Sequence, residues 1–103
     1  MTTNAIVRAG FPWWLRPFIR QNTIAITLGR RVYIKPGREN DQVVLRHELV
    51  HVRQYDDLGI GRFLSRYSAE YVRNRLRGKS HDEAYRAISL EVEAYRAEND
   101  QTV

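Results

Sequence analysis

The segment "VVLRHELVHV", residues 43–52, sets the tightest constraint on how this chain can fold. Residues four apart on a helix lie on one face, one turn above the other, so His47 and His51 share a face. The apolar residues around them make that helix largely buried. Two imidazoles buried together are costly unless each ring nitrogen finds a partner. Any fold must therefore bring polar partners to this face, and a metal is the economical one: the pair has the geometry of half a tetrahedral zinc site. Glu48 stands about 100° round the helix from His47. That is too displaced for a comfortable third ligand, but well placed to take a proton from a water held on the metal and pass it to a leaving amine. The chain has no cysteine, so a metal here rests on His, Asp or Glu alone.

Around this helix the sequence reads as α+β. The stretch "TIAITLGRRVYIKPG" alternates on both sides of Gly29-Arg30, the pattern of a β-hairpin with strands at about 23–28 and 31–35. From Asn40 the period becomes helical. Asn40 or Asp41 can cap a helix that runs to about Asp57 and is stopped by "DLGIG". A second helix over about 61–77 sets Phe63, Leu64, Tyr67 and Tyr71 on one face and ends at Gly78. Ser80 and Glu83 form a capping box for a third helical stretch to about Glu98, with a break near Ile88-Ser89. The expected order is an N-terminal hairpin followed by three helices.

Residues 44–52 resemble the signature of zincin metallopeptidases, an HExxH helix set among uncharged residues. Val44, Leu45, Leu49, Val50 and Val52 fit the wider pattern, and Arg53, where the family usually has an apolar residue, departs from it. Downstream, "LEVEAY" is similar to the glutamate motif of gluzincins, with Glu91 in the ligand place and Ala94 in the small-residue place. Tyr95 stands where many relatives carry Asp. The resemblance implies a small zincin-like domain of the minigluzincin kind. It also implies a Zn²⁺ cofactor on His47, His51 and Glu91, Glu48 as general base and acid, and an edge strand that docks an extended peptide.

The residues alone leave more than one third ligand open among Glu70, His81, Asp82, Glu83, Glu91, Glu93 and Glu98. Glu91 and Glu93 point about 200° apart on a helix, so only one can face the metal. Glu91 lies on the stripe of Ala84, Ala87, Ile88 and Tyr95, which faces the core. Glu93 lies nearer Arg86 and Arg96, and His81 is a further alternative. Four side chains, Tyr67, Tyr71, His81 and Tyr85, are candidate donors to the oxyanion of a peptide hydrolysis.

One domain over residues 1–103 is expected, with a basic aromatic segment at 1–22 and a core at 23–98. The leading function is a zinc metallopeptidase acting on peptide or protein. The rivals are a catalytically silent metal-binding or membrane- or protein-interaction module and a helical nucleic-acid-binding domain. Arg73, Arg75 and Arg77 allow the last, yet no nucleic-acid motif accompanies them, and no nucleic-acid partner is expected. Residues 1–38 hold seven Arg/Lys and no Asp or Glu, although the whole chain carries a net charge of only +5. The basic residues over 8–38 would suit an anionic membrane surface or an acidic partner. Phe11, Trp13, Trp14 and Phe18 can cover a core, lie on lipid or plug a cleft. Without a signal-like or membrane-spanning run, a cytoplasmic location is the default. Oligomeric state is not legible.

Overall fold

The computed structural model describes residues 5–18 and 23–98, with side chains described for 5–15 and 23–98. It is an α+β fold, a three-stranded sheet followed by four helices. Strands β1 (Ile6–Ala9), β2 (Ala25–Leu28) and β3 (Arg31–Ile34) lie in the order β1-β3-β2. The hairpin β2-β3 closes through Gly29-Arg30, pairing Leu28 with Arg31. Gly29 has φ +61°, and among the described residues no residue other than glycine has positive φ, which is the pattern of a tight hairpin turn with glycine first.

β1 is a third strand beyond the expected hairpin, and it runs parallel to β3. Its four residues, "IVRA", are too few to show an alternation from sequence. Its register carries the signal instead. Val7 and Ala9 pair with Val32 and Ile34 on the inner face, while Ile6 and Arg8 pair with Arg31 and Tyr33 on the outer.

Helix α1 (Gln42–Leu58) begins where expected. The Asp41 carboxylate accepts from the backbone N–H groups of Val43 and Val44 at 3.1 and 3.2 Å, satisfying two of the donors a helix start leaves unpaired. Gly59, at φ +81°, turns the chain into α2 (Ile60–Leu76). The third helical stretch is two helices, α3 (His81–Arg86) and α4 (Ser89–Glu98), divided close to the expected break. The Ser80–Glu83 capping box opens α3.

α1 separates two apolar clusters. On the sheet side, Val52 packs with Val32 and Ile34, and all three are fully buried. On the other side Tyr55 joins Phe63, Ile88 and Leu90, with Tyr67 and Tyr71 packed against them. Each such side chain contributes roughly 1.5–3 kcal/mol by leaving water. Leu64, expected on the inner face of α2, is instead 42% exposed. Ala87 is likewise exposed, because it caps α3 at the break rather than continuing the stripe.

The start of α4 is held from α2. Glu70 accepts from the Ser89 backbone N–H and from its hydroxyl, each at 2.8 Å, and pairs with Arg66. Partial burial pushes the Glu70 carboxyl up, but the Ser89 donors and Arg66 outweigh this and hold it below its ordinary 4.5. Glu70→Ala should cost about 1 kcal/mol of unfolding free energy. Because the carboxyl is lowered in the folded state, its contribution is complete above pH 4.5 and fades as the pH falls through the folded value. Thermal unfolding of parent and variant should therefore converge in acid.

Candidate metal centre

The four buried polar residues of α1 are His47, Glu48, His51 and Gln54, and they lie between the two apolar clusters. The ring centroids of His47 and His51 are 5.0 Å apart. Their Nε2 atoms meet one oxygen: Glu91 Oε1 on α4 lies 2.9 Å from His47 Nε2 and 3.1 Å from His51 Nε2. Glu91 is 2% exposed, the most enclosed of the buried charged groups.

The outward nitrogens are also held. His47 Nδ1 lies 2.6 Å from Glu98 Oε2, and His51 Nδ1 lies 2.8 Å from Gln54 Oε1. Gln54 is oriented by its own amide, whose N–H groups donate to Leu90 O and Glu93 Oε1. Both Nδ1 atoms face acceptors to which they can donate, so with a metal in place of the Glu91 contact each Nε2 could offer its lone pair.

This donor set fits a metal ion. Ligand atoms of His47, Glu48 and His51 all lie within 4.8 Å of one another. The distances from the two Nε2 atoms to Glu91 Oε1 are slightly under the roughly 3.3 Å edge of a tetrahedron of zinc ligands. A small outward relaxation would therefore admit an ion among these three atoms. Glu48 is held apart: Thr27 Oγ1 on β2 donates to its Oε1 at 2.8 Å, and its Oε2 lies 3.9 Å from His47 Nε2.

The ionisation balance follows from burial and pairing. Burial alone would lower both histidines, but their bonds to Glu91 and the nearby carboxylate charges outweigh it, so both are raised above 6.5. Burial would likewise raise Glu91, yet the two histidines hold it far below the ordinary carboxylate range. Glu48 is raised, because burial outweighs the histidine charges and the Thr27 bond.

The remaining candidates separate clearly. Tyr67 donates to Glu91 Oε2 at 2.5 Å, and the Tyr85 ring packs edge-to-face against that of Tyr67 with centroids 6.4 Å apart. Burial and the Glu91 charge push both phenols far up, so both stay neutral. Tyr71 and His81 instead bond each other at 2.8 Å, and neither bonds the His47, His51 or Glu91 side chain among the described residues. Glu70 caps α4, Asp82 pairs with Arg86, and Glu83 closes the α3 capping box. Glu93 is exposed, near Arg53 and Gln54.

Three residues of the centre are absent from the reading of the sequence as supports: Thr27, Gln54 and Glu98. Tyr95, in the place where an Asp would support a histidine, packs its ring on that of His47 with centroids 4.7 Å apart. Glu98, three residues further along the same face of α4, makes the bond to Nδ1. The spacing Glu91, Tyr95, Glu98 is a helical stripe from which Glu98 could have been found. Gln54, three residues after His51, follows the same rule on α1.

A family described as the eCIS core domain matches residues 20–59. The match takes in the hairpin and α1, with His47, Glu48 and His51, and stops short of α4. It covers less than half of the chain. No curated protein and no solved structure matches. Among the described residues, no helix is long and apolar enough to cross a membrane.

Titration with a divalent transition-metal ion checks the centre. His47→Ala, His51→Ala and Glu91→Ala should each abolish tight binding, while Glu93→Ala should leave it nearly unchanged. Glu98→Ala should weaken it by about ten- to a hundredfold through loss of the Nδ1 acceptor. Equal losses for Glu91→Ala and Glu93→Ala would contradict this assignment.

Proposed function

We propose that this chain is a zinc-dependent peptidase of the zincin type, with His47, His51 and Glu91 as ligands and Glu48 as general base. The convergence of two buried Nε2 atoms on one Glu91 oxygen, with a separately held carboxylate beside them, carries this reading. A metal held only for structure has no need of Glu48.

When bound, zinc would supply Lewis-acid polarisation and a lowered water pKa. The chain's own residues supply the rest. Thr27 fixes Glu48 Oε1 and leaves Oε2 toward the histidines. From there Glu48 accepts a proton from water and returns it to the amine nitrogen as the peptide C–N bond breaks. Its raised affinity for a proton, caused by burial, suits both halves of that cycle. Tyr67 fastens the second oxygen of Glu91 and keeps the ligand from rotating away. On the substrate side, β2 is an edge strand with β3 as its only strand neighbour among the described residues. An extended peptide paired with its free edge would run past Thr27 and therefore past Glu48.

The substitution Glu48→Gln keeps size and hydrogen bonding but removes the base. It should retain zinc at parental stoichiometry and lose about 10²- to 10⁴-fold in cleavage of an unfolded protein substrate. Cleavage equal to the parent's would remove Glu48 from the mechanism. A zinc-loaded parent that cleaves no unfolded protein would leave a silent metal-binding module as the better reading.

A further inference from the structure

The sheet has a second face, turned away from α1, and it carries a cleft. Strand register decides which side chains meet there: Arg8 pairs with Tyr33 and Ile6 with Arg31, so Arg8, Arg31 and Tyr33 share the outer surface of β1 and β3. Val32 and Ile34, of opposite parity, face α1 and its Val52. The short 3₁₀ helix Trp13–Phe18 crosses this outer surface, anchored by the buried Leu15. The rings of Trp14 and Tyr33 stand nearly perpendicular, with centroids 6.3 Å apart.

Between them lies a cleft of about 450 Å³ lined by Arg8, Phe11, Pro12, Trp14, Arg31 and Tyr33. Its volume falls in the range of small-molecule sites, roughly 300–1,000 Å³. It contains two guanidinium groups, three aromatic rings and no carboxylate. Arg30 pairs with Asp56 and Arg38 with Asp41, but Arg8 and Arg31 have no acidic partner among the described residues. By strand spacing their Cα atoms stand about 8 Å apart, close enough for two long side chains to reach one anionic group. Unpaired like charges on neighbouring strands repel each other, and an anion relieves that repulsion.

We propose that this cleft binds a phosphate ester carried on a planar ring, the chemistry of a nucleoside monophosphate. The phosphate would lie between Arg8 and Arg31, and the ring against Trp14 with Phe11 beside it. Two unpaired cations favour a phosphate dianion over a single carboxylate, because only the former neutralises both. The open aromatic surface selects for a flat group: Trp14 is 45% exposed, although it packs against Tyr33. This site is independent of the metal centre, which lies across the sheet.

Calorimetric titration of the full chain with adenosine monophosphate, inorganic phosphate and adenosine tests both halves. The monophosphate should bind, and phosphate or adenosine alone should bind at least about tenfold more weakly. Arg8→Gln and Arg31→Gln should each weaken the monophosphate about tenfold or more. Trp14→Ala should also weaken it. Trp13→Ala should not, since Trp13 is 79% exposed and outside the cleft. Thermal unfolding of each variant establishes that it is folded. If Arg8→Gln is not, Arg8→Lys, which keeps the charge but loses the planar fork, should show a smaller loss in the same direction. Absence of monophosphate binding by the parent would overturn the proposal. So would binding that survives removal of both arginines, or phosphate binding as tight as that of the monophosphate.

Discussion

The crossing of α1 and α4 depends on one carboxylate. Glu91 is nearly inaccessible to water, and a buried charge of that kind persists only where its lone pairs are matched. Two imidazole nitrogens meet one of its oxygens and a tyrosine hydroxyl meets the other. Removal of any one leaves buried polar atoms without partners, which is why the supports extend outward. Glu98 and Gln54 hold the far sides of the rings, Arg46 donates to the Glu98 backbone oxygen at 3.1 Å, and Glu70 holds the helix start two residues before Glu91. The apolar clusters on either side keep water from replacing any of these bonds.

What could be read from sequence was whatever rests on local periodicity. Asp41 as helix cap, Gly29 in the hairpin turn and the Ser80–Glu83 box are signals contained within four residues, and each appears in the structure. The shared face of His47 and His51 is of the same kind. β1 escaped because a four-residue strand pairing in parallel with β3 declares itself only through its partner. Thr27 escaped for a related reason: its role depends on how the hairpin docks on α1, which no spacing within either element reveals. Glu98 shares the helical stripe of Glu91 and Tyr95, but spacing within α4 does not by itself join it to His47, 51 positions away.

The N-terminal aromatics divide into separate fates. Leu15 takes the buried place beneath the 3₁₀ helix, Trp14 packs against Tyr33, and Trp13 stands in solvent. Because Tyr33 faces away from α1, the described residues of this segment that pack on it lie on the outer side of the sheet. The ring of Phe18 lies outside the described side chains. The positive charge concentrated in the first part of the chain therefore has one defined consequence, a pair of unneutralised guanidinium groups on the outer sheet face.

Glu91 is bonded to His47 across 44 positions, whereas the hairpin, the α1–α2 turn and the α3 cap each close over a few residues. Closing a long loop has an entropic cost that the contacts at its end must offset, so such contacts tend to form after the local ones. A partly folded chain can present both histidines on a formed helix and still lack the oxygen that makes them a site. The meeting of His47, His51 and Glu91 therefore exists only in a chain whose α4 has docked on α1.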